Sequence, residues 1–153
     1  MAETIPNAKV LPTLAFSFLN GCFIYVGASA PPNDADWQQY LAFIQHWKRP
    51  GLNPGIAVEQ GGVPTTLQRK RLYDVISDMA GNVAVITNST IGRGIVTVLS
   101  WISPGHKAFA PAKLPEALAY VGFQGREARE IEAEILRLKH GLLDVRPGVS
   151  ART

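Results

Sequence analysis

The sequence predicts one α/β domain: a mixed, largely parallel sheet opened by an N-terminal β-hairpin, with helices packed on it and an extra helix at the C-terminus. Three observations predict it. Asn20-Gly21 stands between two β-rich runs, LAFSFLN and CFIYVGA, and both residues tolerate positive φ, which makes the pair a strong hairpin signal. Beyond it, short apolar runs alternate with segments of helical periodicity. That alternation requires right-handed crossovers and a sheet covered by helices. Finally, Ile131, Ile135, Leu138 and Leu142 form the stripe of an amphipathic helix after the last strand.

Size and composition agree. The chain has 153 residues, 46% hydrophobic and 18% charged, the balance of an ordinary globular protein. A chain of about 150 residues buries roughly 68–70% of its unfolded surface. One core therefore suffices without metal or disulfide support. No internal repeat or low-complexity segment interrupts the chain. The expected organisation is a leader over 1–12, an α/β domain over 13–123, a C-terminal amphipathic helix over 124–144 and a flexible tail over 145–153.

Each element has a local reason. Residues 1–12 contain two prolines and no periodicity, hence the leader. After the hairpin, Pro31 and Pro32 break the chain, and Asn33, Asp34 or Asp36 can serve as a helix N-cap. Trp37, Tyr40, Leu41, Ile44 and Trp47 follow at three- and four-residue spacing, and Pro50, Gly51 and Pro54 end that helix near Arg49. Ile56-Ala57-Val58 is a short buried strand, and Gly61–Pro64 is a loop. A second helix starts at Thr65 or Thr66, expected to bury Leu67, Leu72, Val75, Ile76 and Met79. Val83–Ile86 is the continuous apolar run of a central parallel strand. Asn88, Ser89 and Thr90 can cap a buried helix over Ile91–Ile102, which Ser103-Pro104 stops. A strand over Lys107–Ala110, a helix over Pro115–Val121 and a helix from Gly125 to Leu143 complete the order.

Charge is mild and uneven. The formal net charge is +3. Residues 48–71 carry five cations (Lys48, Arg49, Arg69, Lys70, Arg71) against Glu59 alone. Nucleic-acid domains concentrate more charge and interleave it with aromatics, so nucleic acid is not the expected partner. Cys22 is the only cysteine, which excludes an intrachain disulfide and a Cys-based metal cluster and suits a reducing cytoplasm. Within a β-rich run, it reads as a packed small hydrophobe. The N-terminus lacks the basic-then-apolar pattern of a secretory signal. No apolar stretch reaches the ~20 residues of a membrane span. A cytoplasmic protein, not inserted in a membrane, is the expectation.

In sheets of this type, ligands gather where loops leave the carboxyl ends of parallel strands. Two loops qualify. Gln60–Thr66 runs into the helix carrying Gln68 and Arg69; Thr87–Thr90 runs into the segment carrying Arg93. Both end at helix N-termini, where free N–H groups and the dipole attract anions. Thr65, Thr66, Arg69, Ser89 and Arg93 are therefore the candidate residues of a phosphate- or carboxylate-sensitive, partner-binding surface. The same threonines and Ser89 are also what helix capping alone requires, with the glycines serving a tight turn.

Catalytic patterns are missing. No Gly-Lys-Ser/Thr follows the glycines, no dinucleotide fingerprint is present, and no serine sits in a Gly-x-Ser-x-Gly elbow. His46, His106 and His140 lie in separate elements, and Glu59, Asp74 and Asp78 form no evident acid–base pair. No catalytic residue, cofactor or metal is expected. Arg69-Lys70-Arg71 reads first as the solvated side of a helix. The terminal stripe suits either capping the sheet or pairing with a second copy.

The element order resembles that of STAS domains, the fold of bacterial anti-sigma factor antagonists, and their STAS/Sec14-like relatives. Gly62-Val63-Pro64-Thr65-Thr66-Leu67-Gln68-Arg69 looks like the strand-to-helix segment of the second group. So do Val85–Ser89 running into Arg93–Thr97, then Leu99-Ser100-Trp101, and Ala108–Pro111. The likeness covers roughly residues 13–123. It implies a non-enzymatic protein-interaction module of bacterial signalling or scaffolding. In the antagonists a Ser or Thr at the start of the second helix is phosphorylated; Thr65 and Thr66 fall in that region, without the Asp-Ser-Ser/Thr-Gly context and with Pro64 preceding them. The implied partner is another protein. A small anion, nucleotide or lipid at the same loops, and self-assembly through the C-terminal helix, are the alternatives.

Overall fold

A computed structural model of the chain describes residues 6–88, 94 and 105–144. Its six strands form one sheet in strictly sequential order: β1 (Ala8–Val10), β2 (Leu14–Leu19), β3 (Cys22–Gly27), β4 (Gly55–Val58), β5 (Val83–Ile86) and β6 (His106–Phe109). The first two pairings are antiparallel and the last three parallel. The α/β class and the mixed, largely parallel sheet are as the sequence predicts.

The hairpin forms as its turn chemistry dictates. Asn20 and Gly21 both adopt positive φ, 55° and 78°, so β2 and β3 pair from Leu19↔Cys22 to Leu14↔Gly27. One expectation is corrected here: residues 8–10 are not part of a leader but the edge strand β1. Three residues are too few for periodicity to register; pairing with Ala15–Ser17 makes the strand. Its exposed Lys9 donates from Nζ to Gln39 Oε1 at 2.9 Å, and a lysine on an edge strand discourages further pairing.

Four helices are described: α1 (Asp34–Trp47), α2 (Thr66–Ile76), α3 (Leu114–Tyr120), entered through a 3-10 turn at Pro111–Lys113, and α4 (Gly125–Asp144). Asn33 is the N-cap of α1, its Oδ1 accepting from Asp36 N at 2.7 Å. Asp36 is buried and accepts from both Thr13 N (2.8 Å) and Thr13 Oγ1 (2.6 Å), tying the first turn of α1 to the start of β2. The helix expected over Ile91–Ile102 and the tail from 145 lie outside the described residues.

Period-two alternation in the strands sorts the core into two layers. Cys22, Ile24, Val26, Ile56, Val58, Ala84 and Ile86 face α3 and α4. Leu14, Phe16, Phe23 and Tyr25 face α1 and α2. Parallel strands stepping in one direction through right-handed crossovers put their connecting helices on one face, which is why α1 and α2 share a side. That side is aromatic: Phe16 stacks on Phe43 with centroids 4.3 Å apart, and Tyr25 meets Trp37 edge-on at 6.1 Å. Such pairs add about 0.5–1.5 kcal/mol each beyond burial.

The opposite side carries the terminal stripe. Ile131, Ile135, Leu138 and Leu142 are all buried against the sheet. Ser17 Oγ donates to Glu134 Oε2 at 2.6 Å, and Gly141 passes so close to Val10 that a Cβ there would lie 2.9 Å from Val10 Cγ2. The stripe caps the sheet of its own chain.

Candidate functional site

At the carboxyl edge of the sheet, the loop after β4 is packed against the loop after β3. Gly62 N donates to Ala28 O at 3.1 Å, and Gln60 Nε2 donates to Gly27 O at 3.0 Å. A Cβ on Gly62 would stand 2.0 Å from Ala30 O, and Gly61 holds φ at +122°. The two glycines serve close approach and an inverted backbone, respectively. The loop is thereby fixed where α2 begins.

Thr65 and Gln68 form a reciprocal capping box. Gln68 N donates to Thr65 Oγ1 at 3.1 Å, and Thr65 N donates to Gln68 Oε1 at 2.9 Å. Gln68 is only 2% exposed. Its Nε2 also donates to Pro32 O and to Asp34 Oδ1, both at 2.9 Å, while its carbonyl accepts from Trp37 Nε1 at 2.9 Å. One glutamine thus closes the start of α2 and binds it to the start of α1. Thr65-x-x-Gln68 is a legible capping signature, but nothing local announces the second half of the role.

Thr66, the first helical residue, is exposed. Arg69 folds back beside it, donating from Nη2 to Thr66 Oγ1 at 3.2 Å and from Nη1 to Pro64 O at 2.6 Å. Leu67 is 55% exposed, which corrects the expectation that it is buried. Helical periodicity alone permits it inside, but Gln68 and the half-buried Leu72 and Tyr73 take the inward positions. Lys70 and Arg71 are exposed. Of the five candidate residues, Thr65, Thr66 and Arg69 come together at one helix start; Ser89 and Arg93 lie outside the described residues.

Beneath α2, on the same face of the sheet, lies a cavity of about 130 Å³. Tyr25, Ala57, Val83 and Val85 rise from the strands; Leu72, Tyr73 and Ile76 descend from the helix and Met79 from the turn after it; Tyr40, Glu59 and Arg69 border it. Glu59 follows β4 directly and is half-buried. Burial raises its carboxyl above the usual carboxylate range, against the opposing hydrogen bond from Thr87. Its Oε1 is enclosed and accepts no hydrogen bond. Burial likewise pushes the Tyr25 and Tyr40 hydroxyls up, so both keep their protons at any physiological pH.

A second depression, about 450 Å³, lies around the ends of β4 and β5 and is lined by Gln60–Val63, Asn88, Pro111 and Lys139. Glu59 borders both spaces. Cys22 is fully buried, its thiol pushed up to about 12 by desolvation, and takes no part in either. Among the described residues no group of three His, Cys, Asp or Glu side chains is placed to hold a metal ion, and no helix is long and apolar enough to cross a membrane. No protein-family model, characterised protein or solved structure matches the chain.

Proposed function

We propose that this chain is a non-enzymatic, STAS-like interaction module of bacterial signalling or scaffolding that meets a protein partner through the first turn of α2. The observation that carries the reading is the exposure of Leu67, 55%, beside the Thr66 hydroxyl and the Arg69 guanidinium. Thr66 Oγ1 and Arg69 Nη2 are 3.2 Å apart there. An apolar centre with a polar rim is the arrangement found in protein contact surfaces. The hairpin-opened sheet with alternating strands and helices supports the STAS-like reading.

Thr66 is the phosphoacceptor this reading assigns, because Thr65 Oγ1 is committed to the capping box through Gln68 N, whereas Thr66 Oγ1 takes only the exposed hydrogen bond from Arg69 Nη2. Phosphate on Thr66 adds about −1.5 to −2 charge at a helix N-terminus and next to Arg69. It would replace the Arg69–Thr66 contact with a charge-assisted pair and change what the surface presents.

A photo-crosslinking residue at position 67, installed in cells, tests the placement, with the exposed Gln38 of α1 as the control site. A protein captured from 67, not from 38, and lost with Thr66→Glu is the expected result. Identical captures from both positions would reject the surface.

A further inference from the structure

We infer that the cavity beneath α2 binds a small organic ammonium ion, a compact apolar body whose protonated amine docks on Glu59. The inference goes beyond the proposed contact surface and does not depend on it.

Glu59 is the only carboxylate among the described residues lining the cavity, and its Oε1 is enclosed without a donor. A buried acceptor left unpaired destabilises the fold, and groups of that kind persist where function needs them. Among the described residues no cation forms an ion pair with it, Lys139 on the far side of the neighbouring depression included. Arg69 borders the cavity, but its guanidinium is held by Pro64 O and Thr66 Oγ1, and its stem forms the wall. His106 lies across from Val83 and Gly55 in register, at the amino edge of the sheet. Glu59 is four residues beyond Gly55, which at ~3.3 Å per residue is about 13 Å along the strand.

The walls suit a cation. Tyr25, Tyr40 and Tyr73 present aromatic rings to the same space, and ring faces attract ammonium groups. An anion would meet Glu59 and gain nothing from the rings. The size is bounded as well: a dry cavity of about 150 Å³ accepts benzene, so about 130 Å³ admits a body of one ring or a short branched chain.

Benzylamine, benzyl alcohol, toluene and benzoate, titrated into the full chain by calorimetry with amide chemical shifts as the map, provide the test. Benzylamine is expected to bind with shifts at Glu59, Ala57 and Tyr73, about tenfold more tightly than benzyl alcohol or toluene, since charge-assisted hydrogen bonds are roughly twice as strong as neutral ones. Benzoate is expected not to bind. Glu59→Gln should abolish the preference for the amine while leaving the fold intact. Ala57→Leu, which adds three carbons to the floor, should abolish binding of every probe. Absence of benzylamine binding, equal binding of benzylamine and toluene, or an unchanged preference in Glu59→Gln would each overturn the proposal.

Discussion

The indole of Trp37 donates from Nε1 to the carbonyl of Gln68 at 2.9 Å, a hydrogen bond between the first turns of α1 and α2, 31 residues apart in the chain. Both groups are buried, so neither has water as an alternative. The bond fixes where α2 starts, and so where Thr66 and Arg69 stand.

Breaking this junction is expected to be costly. Gln68→Ala removes the side-chain half of the capping box and leaves Pro32 O and Asp34 Oδ1 without their donor. Lost caps cost about 1 kcal/mol and an unsatisfied buried group about 1–3 kcal/mol. A loss of about 2–3 kcal/mol in urea unfolding is expected, against about 1 kcal/mol for Thr65→Ala. Equal effects from the two substitutions would mean that Gln68 acts only as a cap.

Gly62→Ala should be among the most damaging single-methyl additions. The new Cβ would meet Ala30 O at 2.0 Å, and the atoms it meets are all backbone, so a loop must move. Overpacking of this kind costs about 1–3 kcal/mol. Amide shifts in residues 28–33 and 60–66 are the expected signature; a melting temperature within a degree of the wild type would contradict it.

Two glutamates are expected to titrate in opposite senses. Arg137 grips Glu134 through Nε and Nη2 at 2.6 and 2.7 Å, and Ser17 adds a third bond at 2.6 Å. The Arg137 bonds, then the Ser17 hydroxyl, hold its carboxyl below the usual range. A depressed carboxyl contributes stability above its unfolded pKa of about 4.3, and loses it as pH falls through the folded value. Glu134→Gln should therefore cost about 1 kcal/mol at pH 7, a difference that closes in acid.

Glu59 runs the other way, because burial raises its carboxyl. The folded state then keeps its proton above the pH where the unfolded chain has lost it. Stability falls as pH rises from the unfolded value to the folded one, and the deficit persists above that. Glu59→Gln should raise stability by about 1 kcal/mol at pH 7, with the gain disappearing in acid. Matched melting curves at low and neutral pH decide it; a variant less stable at neutral pH would show Glu59 to be a structural acceptor.

Cys22 should resist alkylation in the native state. It is fully buried, with its thiol pushed up to about 12, and only the thiolate reacts at a useful rate. Iodoacetamide at pH 8 is expected to label it only as fast as the chain unfolds. Rapid native labelling would mean that β3 opens locally.

What the residues alone determined is the local chemistry. Asn20-Gly21 dictates the hairpin because only such residues accept two successive positive φ angles. The stripe at 131, 135, 138 and 142 dictates an amphipathic helix, and Thr65-x-x-Gln68 marks the start of α2. These signals act over a few residues and need no partner. Tertiary structure decided what depends on a distant neighbour. Ala8–Val10 became a strand only by pairing with Ala15–Ser17. The terminal stripe packed on the sheet, and Leu67 stayed outside while Gln68 went in because Trp37, Pro32 and Asp34 were waiting for its polar atoms. Glu59, one acid after a short strand, came to share a cavity with helix α2 and with Tyr25 on β3. Burial and electrostatic environment belong to the packed chain, and no window of sequence contains them.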